Sequence, residues 1–255
     1  MKSILRLLQR LLPEPSRPIP VPVYRSFRLL ALVVALIAVA PATAQVRGEG
    51  ALSVIFGVPQ NGFSTQVDGA GIGIGFFGGV SGRRSPILVG ADLGFLIYGY
   101  ERRSEPFSYS IPDVYVDVVT SNNIFLGHFL VRLRPPTGPV RPYAEALFGM
   151  KYLFTTTEIR NEWYYDDEPI AVSTNFDDAA PSYGLGGGID LQISRGRGRG
   201  RPALMLHAGV RYLIGGQADY LREGSIRREF GRVGYDVARS ETDLLINEFG
   251  ISMRF

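Results

Sequence analysis

Residues 69–80 read Gly-Ala-Gly-Ile-Gly-Ile-Gly-Phe-Phe-Gly-Gly-Val, and the spacing within them decides the fold. Successive side chains of an extended chain point to opposite sides, so Ala70, Ile72, Ile74 and Phe76 share one face and Gly71, Gly73 and Gly75 the other. A helix would scatter these glycines around its axis. The string also aligns with a glycine-rich dinucleotide loop, but that fingerprint needs strand, tight turn and helix in order, and no helical period follows Val80. A strand is therefore predicted.

Outward from this segment the period of two recurs in eight runs, at about 49–58, 69–80, 86–100, 114–134, 141–158, 182–194, 202–214 and 243–255. Three connections are short (81–86, 134–139 and 194–201), whereas 59–68, 101–113, 159–181 and 215–242 are long. Short turns at one end and long loops at the other, on an even number of strands, predict an all-β, eight-stranded antiparallel up-and-down transmembrane β-barrel. Each run can cross a bilayer, which takes about 9 to 11 tilted residues.

A soluble eight-stranded barrel shares the period but would point its apolar face inward. Tyr183, Leu185, Ile189, Leu191 and Ile193 oppose Gly184, Gly186, Gly188, Asp190 and Gln192; Leu204, Leu206, Val210, Tyr212 and Ile214 oppose His207, Gly209 and Arg211. One face is continuously apolar and the other carries charge and glycine. That pattern fits an apolar exterior in lipid around a polar lumen, and exposed to water it would aggregate.

Composition is informative only after the amino terminus is set aside. The 255 residues are 45% hydrophobic and 20% charged with no Cys, which excludes a disordered chain, disulfide staples and thiol chemistry. Arg25 and Arg28 precede the apolar run Leu29–Ala40, and Ala42 and Ala44 stand where a signal peptidase requires small residues. Residues 1–44 are thus expected to be a cleaved signal peptide, with a true start near Val21 or Val23, and residues 45–255 the barrel. The twelve-residue run would span about 18 Å as a helix, too short for an anchor. The presequence holds six basic residues and one acid, leaving 21 basic against 23 acidic in the mature chain. The pI of 9.2 therefore does not indicate a nucleic-acid partner.

The last strand ends Phe249-Gly-Ile-Ser-Met-Arg-Phe255, with Phe249, Ile251, Met253 and Phe255 on one face. Together with the export signal and the eight runs, this resembles the small bacterial outer-membrane β-barrel family, OmpA- and OmpX-like. The resemblance implies outer-membrane localisation, a terminal signal read by the barrel-assembly machinery, contact with outer-membrane lipids and lipopolysaccharide, and a monomer. Asn247 departs from the terminal pattern by interrupting the apolar face. No peptidoglycan-binding domain is expected after the eighth strand.

Parity assigns Asp92, Glu145, Lys151, Asp190, His207, Arg211, Glu248 and Arg254 to the lumen. Pairing of these groups would plug the barrel, since unpaired buried charge is costly. The alternative is a narrow pore for small solutes or ions, which the lumenal glycines 71, 73, 75, 90, 94, 184, 186 and 188 keep open. A third reading, a lipid-modifying enzyme, needs His128 or His207 beside a hydroxyl or acid, and neither lies in a local motif. No catalytic, cofactor or metal site is assigned. A surface-loop ligand of unknown identity is expected, with Trp163, Tyr164, Tyr165, Asp166, Asp167, Glu168, Asp177 and Asp178 concentrated in 159–181. Arginines in all three short turns, including Arg83, Arg84, Arg134, Arg141 and the alternating Arg195 to Arg201, are placed to meet anionic headgroups.

Overall fold

A computed structural model describes residues 46–108, 111–161, 171–196, 202–229 and 232–255. The signal-peptide reading, with Ala42 and Ala44, and the Trp163 to Glu168 segment lie outside them. Ten strands follow in order: β1 (Val46–Pro59), β2 (Gly71–Gly82), β3 (Ile87–Ser108), β4 (Ile111–Leu133), β5 (Val140–Asn161), β6 (Ala171–Ser194), β7 (Ala203–Gly215), β8 (Gln217–Glu229), β9 (Arg232–Glu241) and β10 (Leu244–Arg254). One helical turn, α1 (Asn61–Ser64), follows β1.

Eight of the strands close a barrel in the order β1-β10-β7-β6-β5-β4-β3-β2, and β8 and β9 form a separate hairpin. Every sequence-adjacent pair from β2 to β7 is antiparallel, and β10 seats between β7 and β1. Strand pairing leaves the barrel no open edge. At one end, the near mouth, lie the tight turns and both ends of the barrel chain, where the Phe255 N–H donates to Gly48 O at 2.9 Å.

The alternation does what it predicts on the outside. Leu52, Ile74, Phe148, Leu185, Phe249, Ile251 and Met253 all point outward and are exposed, Leu185 at 70%. The lumen is less uniformly polar than the face pattern suggests. Leu88, Leu96, Ile124, Leu126, Leu130, Leu147, Leu153, Leu213, Leu244 and Ile246 point inward and form one apolar core. Both faces of several strands are therefore apolar, and only the charged inward positions reveal which face is which.

Three of the expected long loops are regular structure. Segments 101–113 and 159–181 largely continue β3, β4, β5 and β6, which run 22 to 24 residues, about twice a bilayer crossing. In these extensions the apolar alternation fades while the backbone ladder persists. Polar cross-strand pairs replace it, such as Ser121 Oγ with Thr156 Oγ1 at 2.8 Å and Thr120 with Thr157 at 3.2 Å. Segment 215–242 is the β8–β9 hairpin, which lies over the far mouth. Phe63 of α1 is fully buried against Tyr98 and Tyr220, the latter in an edge-to-face contact at 5.1 Å. The Tyr98 hydroxyl donates to Leu221 O at 3.0 Å, and the Asp219 N–H donates to Asp178 at 2.8 Å.

Candidate functional site

The charged residues of the lumen lie in rows set by strand register. Across β4, β5, β6 and β7 one row reads Arg132, Glu145, Gly186, Arg211. Arg132 Nε donates to Glu145 Oε2 at 2.8 Å from one side, and Arg211 Nε donates to Glu145 Oε1 at 2.6 Å from the other. Gly186 stands between the last two because a Cβ there would lie 2.8 Å from Arg211 Cγ. Arg211 also reaches Asp92 at 3.0 Å and Glu248 at 3.1 Å. One guanidinium thus meets three carboxylates, a match to its fixed fork of donors.

The next row reads Tyr143, Gly188, Gly209, Glu248. Tyr143 lies across both glycines and donates to Glu248 Oε1 at 3.2 Å; a Cβ at Gly188 or Gly209 would fall 2.4 or 2.2 Å from its hydroxyl. The Tyr143 ring stacks on His207 at 5.4 Å, and the Arg132 guanidinium sits over the same ring, 4.0 Å from its centroid. His207 is held by Asp190 through Nδ1 and by Glu248 through Nε2, each at 2.8 Å. Two carboxylate acceptors on the two ring nitrogens suit the doubly protonated imidazolium.

Toward the near mouth, Arg134 binds both oxygens of Glu49 and donates to Asp190 Oδ2 at 2.7 Å, and Arg254 donates to Glu49 at 3.2 Å. Toward the far mouth, Lys151 departs from the paired-charge expectation. Its fully buried ammonium donates to the carbonyls of Leu213 and Thr242 rather than to a carboxylate.

Asp92, Glu145, Lys151, Asp190, His207, Arg211, Glu248 and Arg254 are all buried and inward. Sequence reasoning did not list Glu49, Arg132 and Tyr143 with them, although each has the inward parity of its strand. Arg134 and Arg141 need correction: they are buried lumenal groups and not headgroup-facing turn residues. Arg134 keeps the inward parity of Arg132 at the strand's very end, which a reading of Arg-Pro-Pro as a turn conceals. A Cβ at Gly71, Gly75, Gly90, Gly94, Gly184, Gly186 or Gly188 would meet a neighbouring strand's side chain, whereas at Gly73 the nearest atoms are backbone.

His128 brings a hydroxyl within reach that no local motif announces. Its Nε2 is 3.0 Å from Ser182 Oγ, two strands away across Gly149, with both groups buried. Among the described residues no third group orients the ring, since Nδ1 has no hydrogen-bond partner there. Among the described residues no His, Asp and Glu cluster is arranged to hold a metal ion. Outside the barrel, burial under the cap raises the Tyr220 hydroxyl above its ordinary pKa, and this hydroxyl bonds Ser240 at 2.7 Å.

No protein-family model and no curated protein sequence matches the chain. Solved structures similar to it include Neisserial surface protein A (12% identity, TM-score 0.38, covering 82% of this chain and 95% of that one). Ail, the attachment invasion locus protein of Yersinia pestis, gives 13%, 0.33, 82% and 99%. The N-terminal β-barrel domain of Pseudomonas aeruginosa OprF gives 10%, 0.28, 83% and 98%. The barrel assignment rests on this chain's own strand register.

Proposed function

We propose that the chain is an integral outer-membrane β-barrel with a non-enzymatic, envelope-structural or surface-interaction role, its lumen plugged by the paired charges. The observation that carries this reading is the inversion of polarity. Large apolar side chains cover the outside of a closed barrel, while arginines and carboxylates are buried and paired within it. Lipid is the solvent that matches such an exterior. On this reading the barrel is a monomer in contact with outer-membrane lipids and lipopolysaccharide, Phe249, Ile251, Met253 and Phe255 guide its assembly, and the far-side strands and hairpin present the binding surface.

The test is insertion. Residues 45–255, diluted from urea into phospholipid vesicles, should acquire heat-shifted gel mobility and resist carbonate extraction, with external protease cutting only the segments beyond the barrel. A chain that folds equally well in plain buffer and stays off the vesicles would be a soluble barrel.

A further inference from the structure

We propose that the β8–β9 hairpin is a hinged lid on the far mouth, and that Lys151 of β5 is the latch that holds its two feet closed. Two short links join the hairpin to the barrel, Gly216 between β7 and β8 and Thr242 with Asp243 between β9 and β10. Among the described residues no ladder ties either hairpin strand to a barrel strand, while β7 and β10 pair directly with each other as far as Leu213 and Leu244. The wall is therefore closed without the hairpin. Gly215 and Gly216 supply the backbone freedom that a hinge needs.

The contacts that seat the lid on the rim are single side chains on single backbone groups. The Tyr98 hydroxyl donates to Leu221 O, Arg103 Nη1 to Ile226 O at 3.5 Å, and the Gly224 N–H to Glu101 at 3.1 Å. Such bonds break without disturbing a strand, so the lid is the part of the fold that opens first.

The feet are held differently. The fully buried Lys151 ammonium donates to Leu213 O on the outgoing leg at 3.2 Å and to Thr242 O on the returning leg. Asp243, the carboxylate whose charge bears on Lys151, accepts from the Gly215 N–H at 2.8 Å and from Asn61 Nδ2 at 2.7 Å, and Thr242 Oγ1 donates to Gly216 O at 3.1 Å. The Gly216 N–H donates to Pro181 O at 2.8 Å. One cation on β5, two strands from β7, thus joins both legs. Hydrogen bonds from an ammonium are stronger than neutral ones, so losing this donor loosens the feet before it loosens the barrel.

Opening divides the buried cluster that Phe63, Tyr98, Leu213 and Leu244 form with Ala218, Tyr220 and Ala238 of the hairpin. Closed, the lid presents exposed Glu223, Arg227, Asp236 and Arg239; open, it uncovers the apolar seam. The far side then has two surfaces of different chemistry, which goes beyond a fixed binding surface. The lid needs the closed barrel and not the lipid around it.

The test uses the mature chain in maltoside micelles, with gel mobility confirming the fold and one thiol introduced at a time into a sequence that has none. Ala238→Cys lies under the lid and Ala51→Cys in the barrel strand β1, both at buried positions. Labelling by a small maleimide reports how often each is uncovered. The thiol at 238 should react faster than the thiol at 51 in the folded protein. Lys151→Met should raise the rate at 238 about tenfold, the scale of losing a charge-assisted hydrogen bond, and leave the rate at 51 unchanged. A thiol at 238 that reacts no faster than the one at 51 in the chain with Lys151 intact overturns the lid. A Lys151→Met chain that labels both positions faster, that leaves 238 unchanged or that fails to regain heat-shifted mobility overturns the latch.

Discussion

Tyr143 spans two strands of the barrel wall to donate to Glu248 Oε1 at 3.2 Å, and it can do so only because Gly188 and Gly209 lie beneath it. The glycines here are the space that a neighbour's side chain occupies. Gly209→Ala should therefore destabilise the barrel by about 1–3 kcal/mol through overpacking. Tyr143→Phe in the same chain should recover part of that loss, since the hydroxyl is the nearest atom to the added methyl. Urea unfolding in detergent of the two single variants and the double variant measures the coupling.

Arg211 joins Glu145, Asp92 and Glu248. Replacing it with Ala leaves three buried carboxylates short of a cation, and the expected loss is about 3–5 kcal/mol. The variant should unfold at lower urea than wild type. Arg102→Ala, whose side chain is largely exposed beside Asp117, should change stability by about 1 kcal/mol or less.

The cap on the far mouth is held by Phe63, Tyr98 and Tyr220. Phe63→Ala should remove about 3–5 kcal/mol of local packing and release the β8–β9 hairpin. Limited proteolysis should then cut between Gln217 and Glu241 faster than in wild type, while the barrel band keeps its heat-shifted mobility.

Period two was enough to identify the eight barrel strands, and charged positions such as Asp190 and Arg211 then marked the inward face. Residues 69–80 and 183–193 carry that signal most strongly. It weakens in two places for different reasons. At the near mouth, Arg134 and Arg141 border a Pro-Pro turn, and composition alone reads them as solvent-facing. Toward the far mouth, Thr155 and Thr157 are still buried but polar, so inward and outward positions no longer differ in hydropathy. The partners within the lumen were not legible, because charges meet across strands up to four apart in the barrel, as Arg211 of β7 does with Asp92 of β3. The cap depends on Phe63 and Tyr220, separated by more than 150 positions, with no local pattern joining them.

The filled lumen is the central claim, and single-channel recording tests it most directly. Residues 45–255, inserted into a planar bilayer with folding checked by gel mobility, should give no discrete current steps, and Arg211→Ala should introduce leak. Reproducible conductance steps from the folded wild-type chain would contradict the plug and establish a pore.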